Sequence, residues 1–442
     1  MSEGVGTGSV GAAGLLRRIF AGALVRVAPA NPTGRALAGL DLADSIVLLA
    51  TGKAALGMAD GAEAALGERI AARTIVAPAG SGEPRAGRLF ASHPVPDASS
   101  EAAGRALLAA AAAARPDQDV VALVSGGGSA LTAVPAAGLT LADKAEAIAH
   151  VMAAGAPIGD INCVRRHLSA IKGGRLAAAA RARVTTLVVS DVIGDALHEV
   201  ASGPTVPDPT NHTDACRVIE RWLGGLDALP AAAARRLEEG RLAERRPGLA
   251  SGPPDPRPRD RAILLLGLGA LVDAAAEEAR RARDLAVPVE VMDERLAGPV
   301  QGVAEALAAR MSAARAGGCL LVAGGEPTVA LPADRGQSGR AHHLALLMAR
   351  ALAGGAPGDA VLVAGSDGAD GASGAAGAVV DHRTWERVRA AGLDPEAHLR
   401  RADAAAALAR VGAQIVTGPT GVNHADLMLA HVARAAPARH PE

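Results

Sequence analysis

Two acids, Asp191 and Asp195, stand in the run Ser190-Asp191-Val192-Ile193-Gly194-Asp195, which continues to Ala201-Ser202-Gly203-Pro204-Thr205. The β-branched stretch Val184-Thr185-Thr186-Leu187-Val188-Val189 precedes them and reads as a buried strand. Carboxylates at a strand's end can hold a metal ion or take a proton, and glycines there let the backbone approach a ligand. A polar turn with a helix cap is the plainer reading. In Ser125-Gly126-Gly127-Gly128-Ser129, successive glycines let backbone N–H groups converge on an anion, and the Ser125 and Ser129 hydroxyls can donate to phosphate oxygens. No Gly-Lys-Ser/Thr follows, so this is not a Walker A loop. Lys53, in Gly52-Lys53-Ala54, could neutralise a carboxylate or a transferring phosphoryl group. The segment from Asn162 to Arg175 concentrates Arg165, Arg166, Lys172 and Arg175 with His167. It suits a clamp for an acidic substrate or nucleotide phosphates, and equally a basic helix face beside a glycine cap.

Three later loops carry small residues with oxygen ligands: Gly324–Val329, Gly365–Gly371 and Thr417–Asn423. Several such loops on one sheet edge are hard to explain as turns alone. The spacing Asp367-Gly-Ala-Asp370-Gly resembles part of a calcium loop but lacks the remaining ligand positions. Gly267-Leu268-Gly269 opens a dinucleotide fingerprint without its third glycine, since position 272 is Val. His342 and His343 are adjacent and point in different directions, which argues against a shared metal ion. His93 lies in Ser92-His93-Pro94-Val95-Pro96-Asp97, whose prolines impose an extended loop.

Apolar runs that read as strands alternate with Ala-rich helical stretches. The runs are Ser45–Ala50, Thr74–Ala77, Val120–Val124 and Val184–Val189, with a helix from beyond Lys53 to about Ala72. This alternation predicts parallel strands with crossover helices on both faces. Arg246–Asp260, rich in Pro and Gly, reads as a linker or long exposed loop. Strand-like runs resume at Ala262–Leu266, Val289–Met292, Cys319–Ala323, Ala360–Ala364 and Gln414–Val416. The domains are therefore expected at 1–250 and 256–442, with residues 10–28 forming an amphipathic helix rather than a signal peptide.

Composition narrows the partners. Phe20, Phe90, Trp222 and Trp385 are the only aromatics in 442 residues, which argues against base stacking on aromatic platforms and so against single-stranded nucleic acid. A formal net charge of -1 gives no electrostatic reason for nucleic acid or an anionic membrane as partner. No uninterrupted apolar run reaches the ~18 residues that span a bilayer. Cys163, Cys216 and Cys319 are far apart and odd in number, which fits a reducing compartment, the cytoplasm.

Together these motifs resemble the glycerate 2-kinase family, which includes tartrate-utilisation and so-called hydroxypyruvate-reductase proteins. The resemblance runs through Gly52–Ala54, Ser92–Asp97, Ser125–Leu131, Asn162–Arg175, Ser190–Thr205, Gly324–Val329, Gly365–Gly371 and Thr417–Asn423. It implies an α/β protein of two domains: an N-terminal Rossmann-like three-layer α/β/α domain and a smaller C-terminal α/β domain, with the active site in the cleft between them. It further implies transfer of the ATP γ-phosphoryl group to the 2-hydroxyl of D-glycerate, with Mg²⁺. The family's lysine maps onto Lys53, its Gly-Arg arginine onto Arg340, and its Ser-Asp-Val-x-Gly-Asp acids onto Asp191 and Asp195. The chain departs from the family's Gly-Gly-Arg-Asn-Gln-Glu at Ser338-Gly339-Arg340-Ala341-His342-His343, and from Thr-Asn-Val-Asn-Asp at Val422-Asn423-His424-Ala425-Asp426. Both departures bear on which hydroxy acid is accepted.

On this reading Lys53, Asp191 and Arg340 are catalytic, Asp191 serving as general base or magnesium ligand with Asp195 in support. Residues 125–129 (Ser125, Gly126, Gly127, Gly128, Ser129) and Lys172 take nucleotide phosphates. Lys53, Asn162, Arg165 and Arg340 bind the hydroxy acid, Arg340 as a bidentate clamp. The partners are ATP and a small hydroxy acid, and a homodimer is compatible with the sequence. The competing readings are an NAD(P)H-dependent hydroxypyruvate reductase and a non-catalytic sugar-acid or nucleotide-binding homologue.

Overall fold

The structure is a computed structural model that describes residues 11–435 apart from 193, 246–256, 258, 268, 294, 331, 333, 422 and 423. The described chain forms two compact units. One runs from Pro29 through the sixth strand, and the other joins the first helix, up to Ala28, to the residues from Gly269 onward.

The first unit is built on strands β1 (Ile46–Thr51), β2 (Ile70–Pro78), β3 (Arg88–Ala91), β4 (Asp119–Ser125), β5 (Arg183–Val189) and β6 (Arg261–Leu266). They form one sheet in the order β3-β2-β1-β4-β5-β6, and each pairing is parallel. Strands β1 and β4 are buried along their whole length, which is why they read as unbroken apolar runs rather than alternating ones. The pleat still sorts their side chains. Val47 and Leu49 enter one core with Leu107 and Leu131, while Ile46, Leu48 and Ala50 enter a second with Leu37 and Met58. Helices therefore cover both faces, giving the three layers expected. A separate helical core joins Leu141–Ala153, Ile158–His167, His212–Leu223 and Ala231–Glu244.

The second unit holds β7 (Val289–Val291), β8 (Leu296–Pro299), β9 (Cys319–Thr328), β10 (Ala360–Gly365), β11 (Gly377–Asp381), β12 (Gln414–Ile415) and β13 (Asp426–Val432). Its sheet runs β12-β11-β10-β13-β9-β7, with β8 also paired to β9. Strand β13 is antiparallel to both β10 and β9, so its first residue, Asp426, sits beside Gly365 and Gly325 at the end where those strands finish. Helix Arg340–Leu352, buried over most of its length, packs into the core of this sheet.

Several sequence expectations need correction. The run at Ala262–Leu266 does not open the second domain: as β6 it completes the first sheet by pairing with β5. The amphipathic helix forms at Ala12–Val27 but belongs to the second unit, where Arg17 donates to the Gln414 and Ala413 carbonyls and Arg26 pairs with Glu278. The helix after Lys53 ends at Leu66, because β2 begins at Ile70. Most of the stretch at residues 324–329 is strand, since β9 continues to Thr328. The second sheet is mixed rather than parallel, and its central strand β13 was not apparent from sequence. The linker expected at Arg246–Asp260 lies mostly outside the described residues.

Helices Ala30–Ala38 and Ala55–Leu66 cross at Gly61, where a β-carbon would lie 2.1 Å from the Ala30 carbonyl oxygen. Backbone cannot give way there. Gly61→Ala is expected to destabilise the first unit by about 1–3 kcal/mol, read from denaturant unfolding; an unchanged midpoint would contradict this crossing.

Candidate functional site

Strand order reverses between β1 and β4. The helix after β1, Ala55–Leu66, packs into one core layer and the turn after β4 feeds the other, through Met58 and Leu131 respectively. In open α/β sheets the crevice outside such a reversal is where ligands bind. Gly52-Lys53 and Ser125-Gly126-Gly127-Gly128 occupy it. Gly52 has φ 124°, and a β-carbon there would lie 2.1 Å from Ser125 Oγ. The Lys53 N–H donates to the Gly126 carbonyl at 2.8 Å. Ser125 is buried and its Oγ accepts from the Ala54 N–H at 3.0 Å. It therefore ties the two turns together and is not presented to a phosphate.

Gly127, at φ 82°, is bracketed by side chains. A β-carbon on it would lie 3.1 Å from Lys53 Cγ and 3.2 Å from His93 Nε2. Lys53 is half-buried. Burial, and then the Lys53 charge, hold the His93 imidazole below its ordinary pKa, which favours its neutral form. His93 is thus a site residue that the sequence reading placed only in an extended loop. A β-carbon on Gly126 would fall 1.8 Å from Asp191 Oδ2, so the Asp191 carboxylate rests directly on this glycine. Asp195, held at φ 53°, lies against Gly267 at the end of β6 instead.

The basic segment behaves differently from the exposed clamp expected. Lys172 is wholly buried and its Nζ donates to the Gly128 carbonyl at 2.8 Å and to Thr132 Oγ1 at 3.1 Å. Burial drives its pKa well below the ordinary value, with Lys144 and Arg165 adding to the effect. It props the glycine turn from beneath. Asn162 is also buried. It donates to Glu199, and its Oδ1 accepts from Ser202 Oγ at 2.9 Å and from Arg165. Ser202 Oγ in turn meets Ser129 Oγ at 2.7 Å, and Arg166 braces Glu199 at 3.2 Å. Asn162 therefore positions the turn. Of the residues expected to bind ligand in this unit, Lys53, Gly127, Ser129, Arg165, Asp191 and Asp195 are partly accessible. Gly128 packs against Ala201, whose Cβ would lie 2.7 Å from an added β-carbon.

Arg340 belongs to the second unit, at the first position of helix Arg340–Leu352. Its Nε donates to Asp426 Oδ2 at 2.7 Å and its Nη2 to Glu326 Oε1 at 2.9 Å. Asp370 accepts from the Gly339, Ala341 and His342 N–H groups, at 3.1, 2.9 and 2.9 Å, and from His342 Nδ1. It caps this helix and fixes Arg340's place. Gly339, Arg340, Asp370 and Asp426 line a cavity of about 410 Å³ with Ser366 and Asp367. Burial opposes the Arg340 charge, but Asp426 and Glu326 raise its pKa above the ordinary value. Burial pushes Asp426 up to about 6 against the pull of Arg340, with Asp370 and Glu326 adding to the rise. Asp426 and Asp370 are the partners that the sequence reading quoted but did not assign. Val422 and Asn423 of the late motif lie outside the described residues.

His342 and His343 are both buried, and among the described residues no group of three or more His, Cys, Asp or Glu side chains is arranged around a metal position. The three cysteines are buried and unpaired, and no described helix is long and apolar enough to cross a membrane. Because Arg340 is what restrains the Asp426 pKa, Arg340→Ala is expected to move the Asp426 carboxyl resonance midpoint upward from about 6 in a ¹³C NMR titration; a downward move would contradict this account.

Residues 15–238 match the family model described as a domain of unknown function, DUF4147, and residues 319–426 match the MOFRL family. A putative hydroxypyruvate reductase from Agrobacterium vitis is 37% identical, over 95% of this chain and 94% of its own. The D-glycerate 2-kinase of Thermotoga maritima is 32% identical, over 87% of this chain and 90% of its own. The crystal structure of glycerate kinase from Thermotoga maritima superposes with a TM-score of 0.85 at 31% identity, covering 95% of this chain and 99% of that one. A two-domain α/β fold of this kind, with these motifs along its length, places the chain in the glycerate 2-kinase family.

Proposed function

We propose that this enzyme is a kinase that transfers the ATP γ-phosphoryl group to the 2-hydroxyl of D-glycerate or a closely related hydroxy acid, in the cytoplasm. The observation that carries the reading is the β1/β4 junction, where a glycine turn, the half-buried Lys53 and the Asp191 carboxylate meet at a strand-order reversal. Phosphoryl transfer asks for positioning and charge neutralisation more than for covalent chemistry. The Gly126–Gly128 turn offers close backbone approach to phosphate oxygens. Lys53 offsets their charge, and Asp191 accepts the proton of the acceptor hydroxyl as the new bond forms. Arg340 supplies the cation for the hydroxy acid's carboxylate. Asp426 and Glu326 keep it charged and aimed, and its Nη1 makes no hydrogen bond among the described residues.

Asp191 is the carboxylate that would hold magnesium at the glycine turn, whereas Asp195, expected beside it, rests against Gly267. The Asp191 carboxylate resting on the Gly126 turn fits such an ion, which one or two acids would help to hold. When bound, such an ion neutralises the charge of the β- and γ-phosphates.

The hydroxypyruvate-reductase reading draws support from the names of relatives and from a sheet order shared with dinucleotide-binding proteins. In that fold the fingerprint occupies the turn after the first strand. Here that turn reads Gly52-Lys53-Ala54-Ala55-Leu56-Gly57, which lacks the G-x-G-x-x-G spacing. The incomplete Gly-x-Gly at Gly267 follows β6, an edge strand away from the reversal. The kinase reading is therefore preferred.

A panel of hydroxy acids with Mg-ATP should release ADP with D-glycerate, and NMR should place the product phosphate on the 2-position. Consumption of NAD(P)H with hydroxypyruvate, without ADP release, would overturn the proposal. Lys53→Ala and Arg340→Lys should each lower kcat about 100-fold or more, with thermal unfolding little changed. Gly126→Ala should displace the Asp191 carboxylate and cost about 10²–10³-fold in kcat at nearly constant stability; near-normal turnover would remove Asp191 from the chemistry.

A further inference from the structure

A cavity of about 570 Å³ opens beside Gly127 and Ser129 in the first unit. Leu141, Ile148 and Met152, from one helix, and Val95, from the extended segment after His93, form its apolar walls. Lys144 and Arg165 are its only formally charged lining residues, and no carboxylate lines it. Lys144 is 4% exposed, and among the described residues its Nζ donates only to the Val134 carbonyl, at 3.3 Å. Burial first, and then the nearby Arg165 and Arg175 charges, bring it to about 7. Arg165 donates to Asn162 and makes no ion pair among the described residues, though against its burial the Glu199 charge favours its charged form.

Lys144 and Arg165 are buried and half-buried donors with no acid beside them in the cavity lining, and an electron-rich ligand would relieve the cost of burying them. The volume lies within the ~300–1,000 Å³ of pockets that engulf a drug-sized ligand. A three-carbon acid would leave most of it empty. A nucleoside fits its mix of broad apolar walls and few donors. Nucleobases often stack on aromatic side chains, but this chain has four in all, none of them in the lining, so aliphatic side chains must serve instead.

We infer that this cavity takes the base and ribose of the nucleoside triphosphate, with its phosphates continuing onto the adjacent glycine turn. The inference rests on the kinase reading above and adds to it the nucleoside subsite. Leu141, Ile148, Met152 and Val95 sandwich the base, while Arg165 and Lys144 donate to its ring nitrogens or to the phosphate nearest the ribose.

Calorimetric titration of the full chain with ADP and with pyrophosphate, in the presence of Mg²⁺, tests this. Wild type should bind ADP at least about tenfold tighter than pyrophosphate. Ala145→Phe, on the lining of the same helix, should bring that ratio to about one and raise the KM for ATP about tenfold, with the KM for hydroxy acid changed by less than about twofold. Ala149→Phe, at the exposed rim, should act in the same direction. A wild-type ratio near one, unchanged ADP affinity in both variants, or a loss confined to the hydroxy acid would overturn the inference while leaving phosphoryl transfer intact. If both variants unfold, the wild-type ratio alone decides. A wild type that binds neither ADP nor pyrophosphate and transfers no phosphate would instead bring down the kinase reading itself, and this subsite with it.

Discussion

The chain leaves β1 and β4 toward opposite faces of one sheet, and the two turns must pass within van der Waals contact as they diverge. Gly52 makes that passage possible. Any β-carbon there would overlap Ser125, both its hydroxyl and its carbonyl. The Ser125 hydroxyl then accepts from the Ala54 N–H, and the Lys53 N–H bonds to the Gly126 carbonyl. This junction sets the height and direction of Lys53, the curl of the glycine turn and the seat of the Asp191 carboxylate. A bulkier residue at position 52 would separate all three.

Support for the junction comes from buried and half-buried polar groups bonded to one another. Lys172 holds the Gly128 carbonyl from below, and a hydrogen-bonded chain runs from Arg166 through Glu199, Asn162 and Ser202 to Ser129. Each link satisfies a group whose burial would otherwise be costly. Strain gathers in the same places. Of the non-glycine residues with positive φ among those described, Asp195, Ala201 and Ser202 flank this site, and Ala425 directly precedes Asp426 in the other unit. Strained backbone persists where surrounding structure over-determines it, and functional sites are where such strain collects.

The second unit reaches a similar end by another route. Its sheet is mixed, and the antiparallel entry of β13 delivers Asp426 beside the finishing ends of β9 and β10. Two carboxylates, Asp426 and Glu326, bind one guanidinium, while Asp370 anchors the helix that carries it. An arginine this heavily countered stays charged and fixed in direction. His342, which stands where the family motif has glutamine, bonds to Asp370 and so serves the cap.

How much of this was legible in the chain depended on the range of the interaction concerned. Val184–Val189 and the glycine runs announced strands that end in glycine-bearing turns, because buried parallel strands must be apolar and close approaches need glycine; the three layers followed from that local pattern, while Lys53 was singled out by family resemblance more than by its neighbours. The sequence could not show that Ser125, Asn162 and Lys172 face inward, since polarity says nothing of burial once partners sit far along the chain. Nor could it place β6 in the first sheet, the first helix with the second unit, or Asp426 against Arg340. Those pairings join residues distant in sequence, and only the three-dimensional course of the backbone decides which of them meet.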